Sequence, residues 1–219
     1  GIRIPPIKII VDGRVHHDLL QLILANVRTP REREGDLTAQ IAANRTGERR
    51  LREVIAKYGL PELVRYSAEL QHYSERMTRH VIADIPDGEY QFEDYMDDDG
   101  ITSASVKLHV TIRVRGQEVE IDFHGSDPQV RGSVNANFSI TMSAVYYCIR
   151  TLAQEQFPFN YGCMAPINII ADAGGVVNCT FPSAVAGGNV ETSQRIVDVV
   201  LGALHQARPD RVAAACSGT

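Results

Sequence analysis

The chain has 219 residues, of which 44% are hydrophobic and 22% are charged, and its formal net charge is -5. These values predict a globular protein with one large or two modest cores, and they argue against a nucleic-acid-binding protein, because such proteins normally carry a basic patch. No apolar run reaches the about 18 residues of a membrane span, so we expect no membrane contact.

The cysteines predict neither a zinc site nor a disulfide scaffold. Cys148, Cys163, Cys179 and Cys216 form no C-x-x-C pair and have no histidine at zinc-finger spacing. This pattern favours a reducing, cytoplasmic location. The chain begins at Gly1 without the charged and apolar regions of a signal peptide. We therefore interpret its start as a cut boundary and not as a targeting segment.

The first third of the chain is predicted to be mostly helical. A strand over Ile7–Val11 and a turn at Asp12-Gly13 precede a helix over 16–27. Pro30 then opens a long helix that ends at Gly59, and Pro61 starts a second one that reaches about Ala83. Two long helices joined by a tight turn predict an antiparallel pair.

The period then changes from helical to alternating, which predicts strands. Segments 104–114 and 118–123 form a hairpin around Arg115-Gly116, and segments 167–170 and 176–179 form a second hairpin. The acidic segment Glu93–Gly100 is predicted to be a turn, because Tyr95 occupies the first ligand position of a calcium loop. A helix over 139–157 and a last strand over 212–216 complete the series.

A helix over 190–207 follows Gly187-Gly188, with Asn189 as its predicted N-cap and Arg208-Pro209 as its end. It is apolar around more than half of its circumference, which predicts burial. A narrow polar stripe contains Glu191, Arg195, Asp198 and His205, with Gly202 among them.

Two interpretations of this stripe remain open. It is either a structural salt-bridge seam, with Glu191 and Arg195 paired at i, i+4, or part of a site. In the second case the turn at Asn189 presents backbone N–H groups to a carbonyl or an anion. Its supporting side chains are then Glu191, Thr192, Ser193 and Arg195.

The segment N-C-T-F-P-S-A-V-A-G-G-N-V-E-T-S-Q-R-I-V-D-V-V-L-G-A-L, from Asn178 to Leu204, resembles the signature of the hydantoinase B/oxoprolinase family. The resemblance implies a B-type subunit of an ATP-dependent enzyme that opens cyclic amides, acting on a small-molecule substrate. The family also supplies a large subunit of ketone carboxylases, and a non-catalytic scaffold subunit is a third interpretation. In each case we expect a hetero-oligomer with an A-type partner.

The resemblance also implies where the cofactors bind. ATP and Mg²⁺ are expected on the A-type partner, and this sequence contains no G-x-x-x-x-G-K-[ST] phosphate loop. A divalent metal is expected in segments that precede those present here, and we assign no metal ligand within this chain.

Two further segments resemble the family. The pattern N-V-R-x-P-x-x-R-x-G-D makes Arg28, Arg33 and Asp36 candidates for a polar site or an interface, although alone they would form only an ion-pair cluster. The Gly-rich loop after the first hairpin, over 123–137, is similar to the family's D-F-x-G-x-x-P-Q-V-x-G-x-x-N pattern, which makes Asn135 a candidate substrate contact. His124, in the same loop, occupies a place where we expect a small residue, and it receives no catalytic role.

The sequence as a whole predicts an α+β fold, with a long antiparallel helical pair and antiparallel β-hairpins packed with buried helices. We expect residues 1–219 to be part of a single subunit, with 28–84 as a helical lobe and 85–219 as an α+β core. The expected catalytic residues are Glu191 and Arg195. The expected substrate-binding residues are Asn189, Thr192, Ser193, Asn135, Arg28, Arg33 and Asp36.

Overall fold

A computed structural model describes residues 4–212 and residue 215 of the protein. It contains helices and two sheets, of which one is antiparallel and the other mixed, and this confirms the α+β class. Two compact units, Gly1–Tyr66 and Ser67–Thr219, divide the chain within its third helix. No helix in the described residues is long and apolar enough to cross a membrane.

The first unit consists of a small hairpin and helices. Strands β1 (Ile10–Val11) and β2 (Arg14–Val15) pair antiparallel, and helices α1 (His17–Leu24) and α2 (Pro30–Tyr58) follow. The predicted helices are therefore confirmed, and the predicted strand is shorter than expected. Helix α2 has 29 residues, none of which is buried.

Helix α3 (Leu60–Ala83) follows directly after Gly59, which has a φ of +84° that only glycine adopts readily. The break at this glycine and the helix after it were both predicted. The antiparallel packing of α2 against α3 stays a prediction.

The second unit is built on a four-stranded sheet with the order β3-β4-β5-β6. The pairs β3–β4 and β4–β5 are antiparallel, whereas β5 and β6 are parallel. The acidic segment contributes residues 93–96 to β3, so only its second half forms the predicted turn. The strands are β3 (Gly88–Met96), β4 (Val106–Arg115), β5 (Glu118–Asp122) and β6 (Ile167–Ile170).

The first predicted hairpin is confirmed, and the second is wrong. Strand β6 pairs in parallel with β5, and Val176 lies in a buried loop. The Val176 N–H donates to the carbonyl of Asp127 at 2.9 Å, and its carbonyl accepts from the Ala136 N–H at 2.7 Å. The predicted strand over 212–216 lies mostly outside the described residues.

Helices α4 (Phe138–Thr151) and α5 (Ser193–Ala207) pack together, and α5 also packs against β3 and β4. Residues that are two apart on β4 point to one face of the sheet and are buried. Five apolar residues of α5 are completely buried, whereas Val197, Leu201 and Ala207 are half-buried. Gly202 of α5 packs closely against the ring of Phe92 on β3. A Cβ added at Gly202 would lie 2.7 Å from that ring, so a larger residue would not fit there without a shift. The core therefore fixes the position of α5 against β3.

Candidate active site

The last helix begins with a π turn over Gly188–Thr192, which continues into α5. The predicted helix over 190–207 is therefore confirmed, but Asn189 lies inside the first turn and is not its N-cap. Gly188 is required at this point, because an added Cβ would lie 2.0 Å from the carbonyl oxygen of Asn135. The turn is thus held directly against the Gly-rich loop.

The backbone of the turn is not open to a ligand in the way that the sequence suggested. The N–H groups of Val190 and Glu191 donate to the carbonyl of Gly187, at 3.1 and 2.7 Å. Those of Gly187 and Gly188 donate to the carbonyls of Ser133 at 2.8 Å and of Val185 at 3.1 Å. These four N–H groups hold the turn together, so those of Gly187 and Gly188 are not free to bind a carbonyl or an anion.

Arg195 forms an ion pair that the sequence did not reveal. Its guanidinium contacts the carboxylate of Asp94 on β3, and its Nη1 lies 3.5 Å from Oδ2 of Asp198. The Arg195 side chain is 24% exposed, whereas that of Asp198 is 5% exposed. Arg195 is therefore held between a strand and its own helix, with part of the side chain still accessible.

The accessible side of Arg195 faces an open depression that we call the polar cleft, with a volume of about 390 Å³. Carboxylates make up much of its wall, and Arg195 is the cation in that wall. Its lining consists of Tyr95, Met96, Asp97, Asp98, Asp99, Gly100, Ser133, Val134, Glu191, Gln194, Arg195 and Asp198.

Asp99 holds the two walls of the polar cleft together. Its Oδ1 accepts from the N–H groups of Ile101 and Thr102 at 2.9 and 2.6 Å, and its Oδ2 accepts from the Gly132 N–H at 2.9 Å. The N–H of Thr102 first, and then those of Ile101 and Gly132, lower the pKa of Asp99 to about 2. Asp99 is therefore a structural carboxylate and not a proton acceptor at neutral pH.

A second depression, which we call the apolar cleft, lies between α4 and α5 and has a volume of about 410 Å³. Gln194 and Asp198 line both clefts, so the two adjoin along one side of α5. Apolar groups from both helices form much of its wall. The lining consists of Ile140, Ser143, Ala144, Tyr147, Asn189, Ser193, Gln194, Val197 and Asp198.

Comparison with protein families decides the classification. The family model of hydantoinase B/oxoprolinase matches residues 1–219. The chain belongs to this family.

Two relatives show how the chain relates to longer members of the hydantoinase B/oxoprolinase family. It is 36% identical over 210 residues to a 5-oxoprolinase of Dictyostelium discoideum, and these residues are 93% of this chain and 16% of the relative. It is 33% identical over 225 residues to the B-type component named for a D-/L-hydantoinase of Pseudomonas sp., covering 98% of this chain and 38% of the relative. The chain therefore spans well under half the length of the relatives it matches.

Two solved structures are similar to this member of the family. The ATP-dependent caprolactamase from Pseudomonas jessenii matches with a TM-score of 0.88 and 30% identity, over 96% of this chain and 36% of that chain. A nucleotide-free acetone carboxylase matches with a TM-score of 0.84 and 17% identity, over 98% of this chain and 31% of that chain. The second similarity shows a shared fold alone.

Two of the predicted substrate contacts are buried within the protein. Asn135 is completely buried, and its carboxamide bonds to the backbone of Val130, Gly132 and Ala184. Thr192 is also completely buried, and its hydroxyl donates to the carbonyl of Val134. The geometry thus gives both side chains a role in holding the cleft wall.

The other candidates near α5 are more accessible. Ser193 donates to the carbonyl of Asn189 at 3.0 Å and lines the apolar cleft together with the exposed Asn189 side chain. Glu191 and Arg195 both line the polar cleft. The structure therefore places the predicted catalytic residues and Asn189 in adjoining clefts.

Arg28, Arg33 and Asp36 belong to the unit of Gly1–Tyr66, whereas the clefts belong to the other unit. Arg33 pairs with Asp36 at 3.0 Å within α2, and all three side chains are exposed. Their pairing agrees with the ion-pair interpretation, and their contribution to a site stays a prediction.

His124 is part of a polar cluster that the sequence did not reveal. Its Nδ1 lies 2.5 Å from Oδ1 of Asp122, and its Nε2 lies 3.0 Å from Oδ2 of Asp172. The hydrogen bond and charge of Asp122, and then the charge of Asp172, raise the pKa of His124. Asp172 follows β6, so no local pattern could have predicted this contact.

Proposed function

We propose that this chain is part of the B-type subunit of an ATP-dependent hydrolase that opens cyclic amides. The observation that carries this proposal is the 30% identity and TM-score of 0.88 with the ATP-dependent caprolactamase. Relatives named as a 5-oxoprolinase and as a hydantoinase component support it, because oxoproline, hydantoin and caprolactam all contain a ring amide.

The polar cleft is the proposed site of the reaction within this chain. Arg195 supplies a cationic hydrogen-bond donor, which stabilises the negative charge of the phosphoryl group on the amide oxygen while water attacks the ring carbon. Glu191 is the carboxylate that we assign to accept a proton from that water. Asp94 and Asp198 keep the guanidinium in place between the strand and the helix.

ATP and Mg²⁺ are assigned to an A-type partner in the same hetero-oligomer. When bound there, ATP would supply a phosphoryl group that activates the amide oxygen and that leaves as phosphate when the ring opens, while residues of this chain would hold the ring and the water. Within residues 4–212 no group of three or more His, Cys, Asp or Glu side chains is suited to a metal ion. We therefore derive no step through a metal held by these residues.

Two other functions are weighed against the hydrolase. A ketone carboxylase shares the fold, but 17% identity gives no support for a shared reaction. A non-catalytic scaffold requires that Arg195 serve only as an ion-pair partner. The substitution of Arg195 separates this interpretation from the catalytic one.

The test compares Arg195→Met with the double variant Arg195→Met/Asp94→Asn, in the full-length protein together with its partner. The single change leaves two carboxylates without their guanidinium and should cost about 2 to 3 kcal/mol of unfolding free energy. Removal of the Asp94 charge should restore part of that loss. We expect lactam hydrolysis to stay at least about 100-fold reduced in both variants, as for the loss of an oxyanion donor.

Asp94→Asn alone is the matched control, because it removes the partner and keeps the guanidinium. It should change activity much less than either variant that lacks Arg195. Near-normal turnover by a folded, assembled double variant would show that Arg195 acts only through stability and would exclude its catalytic role.

A further inference from the structure

The apolar cleft contains two polar groups that the protein itself does not use. Asn189 is exposed in the π turn, and no group in the described part of the chain hydrogen-bonds with its carboxamide. Tyr147 of α4 is 57% exposed, and its hydroxyl likewise has no hydrogen bond within residues 4–212. A donor and acceptor pair therefore lies at an apolar surface without an internal partner.

We propose that the apolar cleft binds the ring of the cyclic amide and that the Asn189 carboxamide recognises the amide edge of that ring. This inference rests on the proposed function, and it adds the cleft that holds the ring and the residue that recognises its amide edge. The proposed ligand is a secondary amide in a small ring whose other ring atoms are mainly methylene groups.

The chemistry of the amide edge favours this pairing. A secondary amide in a small ring is held cis, so its N–H and its C=O point to the same side, whereas open-chain peptide amides are almost always trans. A primary carboxamide also presents its oxygen and one N–H on a single edge. Asn189 can therefore accept from the ring N–H and donate to the ring C=O at the same time, which a trans amide cannot match.

The wall of the cleft suits the rest of the ring. Ile140 and Ala144 of α4 face Val197 of α5 across the cleft, with the Tyr147 ring at its side. A volume of about 410 Å³ falls within the range of small-molecule sites, which is about 300–1,000 Å³. Methylene groups of a lactam would lose contact with water there, and each buried methylene should strengthen binding about fourfold.

The position of the cleft connects binding to the proposed reaction. Gln194 and Asp198 line both depressions, so a ring bound at Asn189 lies beside the cleft that contains Arg195. The amide is then presented at the boundary between an apolar and a charged surface. Asn189 acts here as a substrate-binding residue and not as an acid or a base.

The test measures the affinity of the full-length protein for δ-valerolactam, N-methyl-δ-valerolactam and the open-chain N-methylacetamide, by calorimetry or ligand-observed NMR. We expect δ-valerolactam to bind at least tenfold more tightly than the other two. Asn189→Ala should lower its affinity at least tenfold and leave the weak binding of the N-methyl compound unchanged. This change is on an exposed side chain and should not affect folding.

Asn44→Ala, which changes an exposed asparagine of α2, is the matched control and should leave all three affinities unchanged. Equal affinity for the lactam and its N-methyl derivative, or no effect of Asn189→Ala on lactam affinity, would overturn the inference. Loss of the predicted hydrolase activity with intact, Asn189-dependent lactam binding would instead overturn the proposed reaction and leave this inference standing.

Discussion

Asp99 shows how one side chain supports the site without taking part in chemistry. It lies in a run of three aspartates, and its two neighbours Asp97 and Asp98 are exposed while Asp99 is 3% exposed. Its carboxylate joins the acidic loop to Gly132, where an added Cβ would lie 1.7 Å from the Asp99 carbonyl oxygen. The backbone N–H groups that hydrogen-bond to Asp99 stabilise the charged form of its carboxyl group.

This arrangement predicts a stability contribution that depends on pH. Because the folded pKa of Asp99 is about 2 and lies below the ordinary value of 3.8, its contribution is present above pH 3.8 and is lost as the pH falls towards 2. Asp99→Asn should therefore lower the melting temperature at pH 7, and its difference from the wild type should shrink between pH 4 and pH 2.

Thermal unfolding followed by circular dichroism at several pH values measures this difference. Asp97→Asn, in the same loop, is the control and should cause a much smaller change at pH 7. A constant difference between wild type and Asp99→Asn across pH 2–7 would contradict the assigned role.

At the scale of elements, the start of α5 depends on a close backbone approach. The π turn of residues 188–192 brings Gly188 against Asn135, and Asn135 in turn holds Val130, Gly132 and Ala184 through its carboxamide. Glycine is needed at 188 because of the space available and not because of its backbone angles. The turn, the Gly-rich loop and the polar cleft are therefore one packed assembly.

Two glycine substitutions with opposite expected effects on the free energy of unfolding test this packing. Gly188→Ala should lower the free energy of unfolding by at least about 3 kcal/mol, at the upper end of overpacking costs, because the atom that it meets belongs to the backbone. Gly47→Ala in α2 meets nothing within 4 Å and should raise the same quantity by about 0.5–1 kcal/mol. Chemical denaturation measures both, and a Gly188→Ala variant as stable as the wild type would contradict the close approach.

At the scale of the whole molecule, the chain matches one part of larger enzymes. It covers 36% of the solved caprolactamase chain to which it is similar. Helix α2 buries none of its residues, and large apolar side chains such as Leu51, Tyr58 and Tyr66 are more than half exposed. Surfaces of this kind support the proposal of a hetero-oligomer.

We expect this chain alone to bind no ATP, because its sequence has no phosphate loop. ATP-dependent lactam hydrolysis should appear only when the full-length protein is combined with its A-type partner. Calorimetry on the chain alone and activity assays on the mixed components measure the two effects. Micromolar ATP binding by the isolated chain, or activity of the full-length protein without a partner, would contradict the proposed division of roles.

The sequence by itself determined the elements that local forces specify. Hydrophobic periodicity with Pro and Gly boundaries predicted α2, α3 and α5, and the Arg115-Gly116 turn predicted the hairpin of β4 and β5. The apolar segment 139–157 predicted α4, which ends earlier than expected, at Thr151. The family signature identified the class of the protein before any geometry was known. Each of these signals lies within a short stretch of chain, where neighbouring residues interact with little loss of chain entropy.

Only the tertiary structure decided the contacts between distant segments. The ion pair of Arg195 with Asp94 joins residues that are 101 positions apart, and β6 pairs in parallel with β5 instead of with the nearby segment at Val176. The local pattern could not reveal that Val176 bonds to Asp127 and Ala136, or that Asn135 uses its carboxamide on three backbone segments. These contacts depend on which segments the packing of the core brings together. A buried polar group needs a hydrogen-bond partner, and that partner often lies on a segment that is distant in the sequence.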